Sequence, residues 1–92
     1  MTDTKPLKAL KTLGITPFAR CGPDMHLFSV NPDIPALMVV EYVVMLQDCI
    51  NEMNMDYALG DRNEMGARAS CYLGEMAKAL MDELNVAMLK SR

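Results

Sequence analysis

The residue types that could support catalysis or metal binding are few in this chain. His26 is the only histidine among the 92 residues, and the three cysteines, Cys21, Cys49 and Cys71, have no C-x-x-C spacing. A zinc site would need His26 and further ligands at metal spacing, and a Ser–His or Cys–His pair would depend on the same imidazole. The phosphate-binding patterns G-x-x-x-x-G-K-S/T and G-x-G-x-x-G are absent from the sequence. We therefore expect a non-enzymatic protein without a metal ion or cofactor, with His26 as an ordinary surface residue.

Four carboxylates have spacings that place them on one side of a helix. Glu41, Asp48, Glu52 and Asp56 are separated by seven, four and four residues, and residues three, four or seven apart share a helical face. Di-iron bundles also use inward carboxylates, but they require Glu-x-x-His motifs that this chain lacks. Such a row is usually a solvated face. The alternative is that it docks a basic segment, from this chain or from a partner.

The composition and the charge exclude several classes of protein. With 51% apolar and 23% charged residues in 92 positions, the chain predicts one folded domain. A net charge of −3 argues against nucleic-acid binding, which depends on neutralising phosphates. Residues 21–61 contain no Lys or Arg but seven carboxylates, whereas residues 1–20 carry a net charge of +3. This asymmetry indicates either a basic arm folded over an acidic face or an acidic surface for a partner.

Residues 1–24 are expected to form a basic, irregular arm. Five prolines and glycines between Pro6 and Pro23 exclude a long helix or strand, although a short helix could form from Pro6 to Leu13. The entropy lost on ordering such an arm is close to what its few apolar side chains would contribute on docking. We expect an arm that is only partly ordered and that a partner can displace.

Residues 25–92 predict a short strand followed by two long helices. The strand covers residues 25–30, and apolar residues then recur with helical period, which predicts helices over about residues 35–59 and 62–89. Gly60 is the expected break between the helices. Asp61, followed three residues later by Glu64, resembles a capping box for the second helix. The expected fold is all-α, an antiparallel two-helix hairpin with a short N-terminal strand and an irregular arm.

Apolar residues outside the main stripes predict an assembly. Met38, Val44 and Met45 lie off the main stripe of the first helix, and a helix that is apolar on several sides is covered on several sides. A second copy is the most economical cover, because two-fold homodimers are the commonest oligomers. We take these three residues as a candidate self-interface and expect a dimeric four-helix bundle.

The expected compartment follows from the cysteines and from the apolar runs. No signal-peptide pattern precedes the fold, and the longest apolar stretch, Ala36–Leu46, is eleven residues interrupted by Glu41. That stretch is too short to span a bilayer. We therefore expect a cytoplasmic protein that makes no membrane contact, with its cysteines reduced and buried as small apolar side chains.

Two segments resemble a family of small bacterial proteins of unknown function. Leu27–Pro35, L-F-S-V-N-P-D-I-P, is similar to that family's F-x-V-x-P-G-I-P segment, which precedes two helices, and Tyr72–Leu80 is similar to its second-helix core. The resemblance covers about residues 26–84 and departs at Asp33, where the family favours glycine. It implies a bacterial, cytoplasmic protein with a helical hairpin. It implies no activity and no functional residues.

The expected function is that of a dimeric protein-interaction or regulatory adaptor module with an unknown protein partner. The surplus apolar helix face, the acidic row and the ten methionines favour this hypothesis, since methionine-rich surfaces accept varied partners. The alternative is a carrier or sensor that holds a small apolar ligand in a methionine-lined cavity inside the bundle.

Overall fold

The protein combines a helical hairpin with a small antiparallel sheet. A computed structural model describes residues 9–60 and 63–91. Two strands, β1 (Pro17–Gly22) and β2 (Met25–Ser29), precede two helices, α1 (Ala36–Ala58) and α2 (Glu64–Lys90). The helical hairpin is confirmed, with helix ends within two residues of those predicted. The all-α class is wrong, because β1 and β2 pair with each other.

The strand β1 lies in the segment that was predicted to be irregular. Pro17 is its first residue, a position where the missing N–H is tolerated. Pro23 and Asp24 form the two-residue connection to β2, and Asp24 has a φ of 58°, which aspartate tolerates. Proline and glycine therefore mark the ends of this strand and do not interrupt it. The predicted short helix from Pro6 lies partly outside the described residues, and the described residues from 9 to 16 contain no α-helix.

Backbone hydrogen bonding continues beyond the two strands, between the residues before β1 and the residues after β2. Thr12 exchanges backbone hydrogen bonds with the segment that leads into α1, since its N–H donates to Ile34 O and its carbonyl accepts from Asp33 N–H, both at 2.9 Å. Its buried hydroxyl donates to Asn31 O at 2.6 Å and accepts from Ile34 N–H at 2.9 Å. Residues 10–16 are thereby fixed against residues 30–36. The segment expected to be a partly ordered arm is thus, over its described residues, hydrogen-bonded to the segment that leads into α1.

The backbone conformation at Asp33 is one that favours glycine, the residue found at this place in the motif that the sequence resembles. Its φ is 65°, in the left-handed region where glycine is unstrained and aspartate is among the best tolerated alternatives. The turn between Pro32 and Ile34 therefore keeps the conformation that a glycine would give it. The departure from the motif at Asp33 does not change the backbone.

The start of α2 differs in detail from the predicted capping box. Asn63 is the N-cap, and its side-chain oxygen accepts from the N–H groups of Met65 at 3.0 Å and Gly66 at 3.4 Å. Asp61, the predicted cap, lies outside the described residues. Gly60 ends the first helix with a φ of 111°, as the sequence predicts.

The core is small and lies where the N-terminal segment meets both helices. Its buried cluster joins one residue of that segment to two of α1 and two of α2: Leu10, Ala36, Val39, Leu84 and Ala87. The molecule measures 51 × 31 × 19 Å, so it is about two layers of secondary structure thick. One layer is the helix pair and the other is the segment from residue 9 to residue 35. No segment among residues 9–60 and 63–91 covers the opposite side of the helix pair.

Candidate functional site

The predicted acidic row lies on the solvent side of α1. Glu41, Asp48, Glu52 and Asp56 are all exposed. At about 100° per residue, Glu41, Asp48 and Glu52 fall on the side of the helix opposite Val39, which is buried, and Asp56 lies towards the flank that carries Met38 and Met45. Among the described residues none of the four carboxylates forms a salt bridge. The row is therefore a stretch of exposed negative charge without a described counter-ion.

The predicted self-interface residues lie on both sides of this acidic row. Met38, Val44 and Met45 are 57%, 54% and 58% exposed. Met38 and Met45 are seven residues apart and alternate with Glu41 and Asp48 at intervals of three and four. Val44 lies on the other flank, in line with Leu37 seven residues before it. The two surfaces that the sequence analysis treated separately thus share one exposed side of α1.

The uncovered side of the helix pair carries exposed apolar residues from both helices. On α2, Met81 and Met88 are seven residues apart and lie on the side away from Ala79, which lines a cavity against β1. Both methionines are exposed, as are Leu37 and Val44 of α1. Together, Leu37, Val44, Met81 and Met88 form what we call the open face.

Gly74 of α2 also lies on the open face. An added Cβ there would meet no atom within 4 Å. Gly74 therefore does not seat a described side chain of α1 against its backbone. No described atom occupies the space beside this glycine.

Within the described part of the chain, one charged residue is fully buried, and it is absent from the sites predicted from the sequence. Glu83 of α2 has 0% exposure. Its carboxylate accepts the backbone N–H groups of four consecutive residues: Leu13, Gly14 at 2.9 Å, Ile15 at 3.2 Å and Thr16 at 3.0 Å. Glu83 therefore holds the loop before β1 against α2. The available signal was its position three residues after Leu80 and four before Ala87, within the apolar stripe of α2.

Two opposing effects act on the pKa of Glu83. Burial removes water from the carboxylate and by itself raises the pKa, whereas hydrogen bonds from the Thr16 side chain and from the amides of Leu13, Gly14 and Ile15 lower it. The hydrogen bonds prevail together, so the pKa of Glu83 lies below its ordinary value. The group is ionised at neutral pH, and its role is to fix the loop.

An aromatic groove lies between the sheet and α2. Phe18 of β1 and Phe28 of β2 are cross-strand partners with ring centroids 5.5 Å apart. With Leu27, Tyr72 and Met76 they line an open cavity of about 450 Å³. Glu75 closes its edge by accepting the Ala19 N–H at 2.5 Å. The sequence does not predict this groove, because one of its walls is β1, a strand that the local pattern does not predict.

The histidine and the cysteines do not come together. His26 is exposed on β2 opposite Arg20. Cys21, Cys49 and Cys71 are all exposed, so the expectation of buried thiols is wrong. In the part of the chain that the structure describes, no group of three or more His, Cys, Asp or Glu side chains could hold a metal ion. Across residues 9–60 and 63–91, neither helix has the length and apolar character that a membrane crossing requires.

Comparison with known proteins identifies one family. A family model described as "Protein of unknown function (DUF3077)" matches residues 12–87. No curated protein and no solved structure matches the chain with significance. The matched range includes the loop before β1, both strands and Glu83, so it extends further towards the N-terminus than the resemblance noted from the sequence.

Proposed function

Because the chain belongs to the DUF3077 family, whose function is unknown, its role has to be argued from its own surfaces, and we propose that it is a non-enzymatic protein-interaction module that acts as a homodimer. The dimer pairs two helical hairpins into a four-helix bundle. The acidic side of α1 remains outside this bundle and is available to another protein. The module is then an adaptor that brings a partner to a symmetric dimer.

The observation that supports the proposal is the open face. Leu37, Val44, Met81 and Met88 are each at least 41% exposed, and they lie on the side of the helix pair that no described segment covers. Large contiguous apolar surfaces on small proteins mark interaction sites. A second hairpin placed there would bury these side chains from both copies, with about 25 cal/mol gained per Å² of apolar area removed from water.

The charge distribution favours this face over the rest of α1 as the self-interface. Of the three residues predicted for that role, only Val44 belongs to the open face. Met38 and Met45 alternate with carboxylates, and a two-fold contact there would oppose two acidic rows. Like charges brought together across an interface cost several kcal/mol. The open face borders Glu41 and Asp48 at Val44, but its α2 half adds no carboxylate, because none of the residues three or four positions from Met81 is acidic.

The mass in solution tests the dimer. Light scattering should report about 20 kDa for the wild-type protein, twice the chain mass of 10.2 kDa. Val44→Glu and Met81→Glu should each give monomers, because an unpaired carboxylate buried in an interface costs several kcal/mol. Met45→Glu is the matched control, because it adds the same charge to the same helix outside the open face and should remain dimeric. A wild-type mass near 10 kDa at micromolar concentration, with native helical circular dichroism, would refute the proposal.

The aromatic groove supports a second candidate, the carrier of a small apolar ligand. Leu27, Phe28 and Tyr72 are exposed around a cavity of about 450 Å³, within the range that small-molecule sites occupy. This differs from the expected methionine-lined cavity inside a bundle. Native mass spectrometry of freshly purified protein should detect a bound mass if the candidate is correct, and Tyr72→Asp should remove it. A spectrum of the free chain alone argues against a carrier.

A further inference from the structure

The solvent side of α1 combines exposed methionines with carboxylates that form no salt bridge to any described residue. We call this surface the acidic–methionine face, formed by Met38, Glu41, Met45, Asp48, Glu52, Met55 and Asp56. All seven side chains are exposed, and they follow one another at intervals of one, three or four residues. We propose that this face docks a basic amphipathic helix of a partner protein, an inference that rests on the proposed interaction function and specifies its partner.

The charges select the kind of occupant. Residues 21–61 contain no Lys or Arg, and the described residues form no salt bridge with this face. A second copy would have to place its own acidic row against the first. A nucleic acid or an anionic lipid surface would be repelled in the same way. A segment rich in Lys and Arg would supply the missing positive charge.

The methionines select the shape of the occupant. Met38, Met45 and Met55 are unbranched and flexible, and such side chains adapt to varied apolar surfaces. Met38 and Met45 border the carboxylates on one side and Met55 borders them on the other, so the matching partner presents apolar and basic residues together on one face. A helix with apolar residues every three or four positions has this arrangement, as in other helix-in-groove recognition. The face runs from Met38 to Asp56, about 27 Å along the axis, which matches about five turns of a partner helix.

A designed peptide tests the inference directly. The probe is a fluorescein-labelled amphipathic peptide of about five turns with leucine at heptad positions and lysine elsewhere, and the matched probe has glutamate in place of lysine. Fluorescence anisotropy with the full chain should show binding of the lysine peptide only. The affinity should fall at least about tenfold between 50 mM and 500 mM salt, because exposed charges are screened.

Two charge variants with equal change in net charge locate the binding. The first neutralises the face by Glu41→Gln, Asp48→Asn, Glu52→Gln and Asp56→Asn. The second neutralises four exposed carboxylates elsewhere by Asp24→Asn, Asp33→Asn, Glu64→Gln and Asp82→Asn. We expect the first variant to lose at least about tenfold in affinity and most of the salt dependence, and the second to stay within about threefold of wild type.

A second pair of variants, one on the face and one control, tests the apolar part of the contact. Met45→Gln keeps the length of the side chain and removes its apolar end, and it should weaken binding about threefold or more. Met65→Gln makes the same change at an exposed position of α2 and should leave the affinity unchanged.

Each other outcome contradicts the inference. Equal weakening by the two charge variants would show unspecific attraction to an acidic protein. Unchanged binding by the first variant would place the contact elsewhere. Stronger self-association of the first variant would assign the face to a second copy. Light scattering on the same samples separates the two proposals, because a dimer that does not bind the peptide overturns only this inference, whereas a wild-type monomer overturns the proposed function.

Discussion

At the residue scale, Glu83 is the most consequential side chain of the fold. It is buried, none of the described cations forms a salt bridge with it, and a carboxylate in that position is costly unless hydrogen bonds replace its water. Consecutive backbone amides of residues 13–16 do so. The arrangement satisfies donors that would otherwise lack partners in a loop pressed against a helix. One side chain thereby links the first described residues to the second helix.

Glu83→Gln should therefore destabilise the protein. The amide keeps the size of the carboxyl group, but it offers one acceptor oxygen, and its NH2 group faces backbone donors. We expect the free energy of unfolding to fall by about 2–4 kcal/mol, because hydrogen bonds to a charged group are lost and donors are left unsatisfied. Urea denaturation followed by circular dichroism measures the change. Asp82→Asn, at the exposed neighbour that pairs with Lys78, is the control and should cost less than about 1 kcal/mol.

The stability contributed by Glu83 should depend on pH with a defined sign. Its pKa in the folded protein lies below the ordinary value of 4.5, so protons bind the unfolded state first. The contribution is fully present above about pH 5 and is lost as the pH falls through the lowered pKa. The difference in unfolding free energy between wild type and Glu83→Gln should be constant from about pH 5 to 7 and shrink at about pH 3. A difference that grows on acidification would show the opposite sign.

At the element scale, the two helices could be predicted from sequence and β1 could not. Periodic apolar residues such as Val39, Val43 and Leu46 define a helix locally, and no other part of the chain is needed to recognise it. The strand depends on pairing across the Pro23–Asp24 turn and on an Ala19 φ of 59°, which local patterns do not reveal. Glu83 was missed for a related reason, because its partners lie about 70 residues away in sequence.

The acidic–methionine face could likewise be predicted from helical spacing only in part. The spacing of Glu41, Asp48, Glu52 and Asp56 was enough to place them on one side of a helix. Their alternation with Met38 and Met45 also follows from spacing. Spacing also places Val44 on the opposite flank of the row from Met45, but which flank is left uncovered depends on the side of the helix pair that the N-terminal segment covers. That is a tertiary fact, and it separates the open face from the acidic–methionine face.

The loop that binds Glu83 requires glycine at position 14. Its φ is 79°, and a Cβ added there would lie 2.8 Å from Pro32 Cδ. Gly14→Ala should therefore lower the free energy of unfolding by more than about 2 kcal/mol, since a left-handed alanine costs about 1–2 kcal/mol before any clash. Gly66→Ala is the matched control in α2, where the added Cβ meets its nearest atom at 3.8 Å. That substitution should be neutral or stabilising by up to about 1 kcal/mol, and both values come from urea denaturation.

At the scale of the whole molecule, the N-terminal segment and the hairpin share one small core. Leu10 packs with Ala36, Val39 and Leu84, so release of the segment would expose residues of both helices to water. Next to this core, the carboxylate of Glu83 binds the backbone of residues 13–16 to α2. With so few buried residues, neither part retains a core of its own, which predicts that they unfold together.

Limited trypsin digestion tests this cooperativity. If the segment opens only with the whole fold, wild-type protein should be cleaved after Lys11 and Arg20 no faster than after Arg68 and Lys78, because cleavage follows the population of the open form. Glu83→Gln should accelerate all four cuts by a similar factor, roughly 30-fold for a loss of 2 kcal/mol. Mass spectrometry of timed samples identifies each cut. Rapid loss of the segment from an intact hairpin, in wild type or only in the variant, would show that the segment opens independently of the helices and is free to act as a displaceable arm.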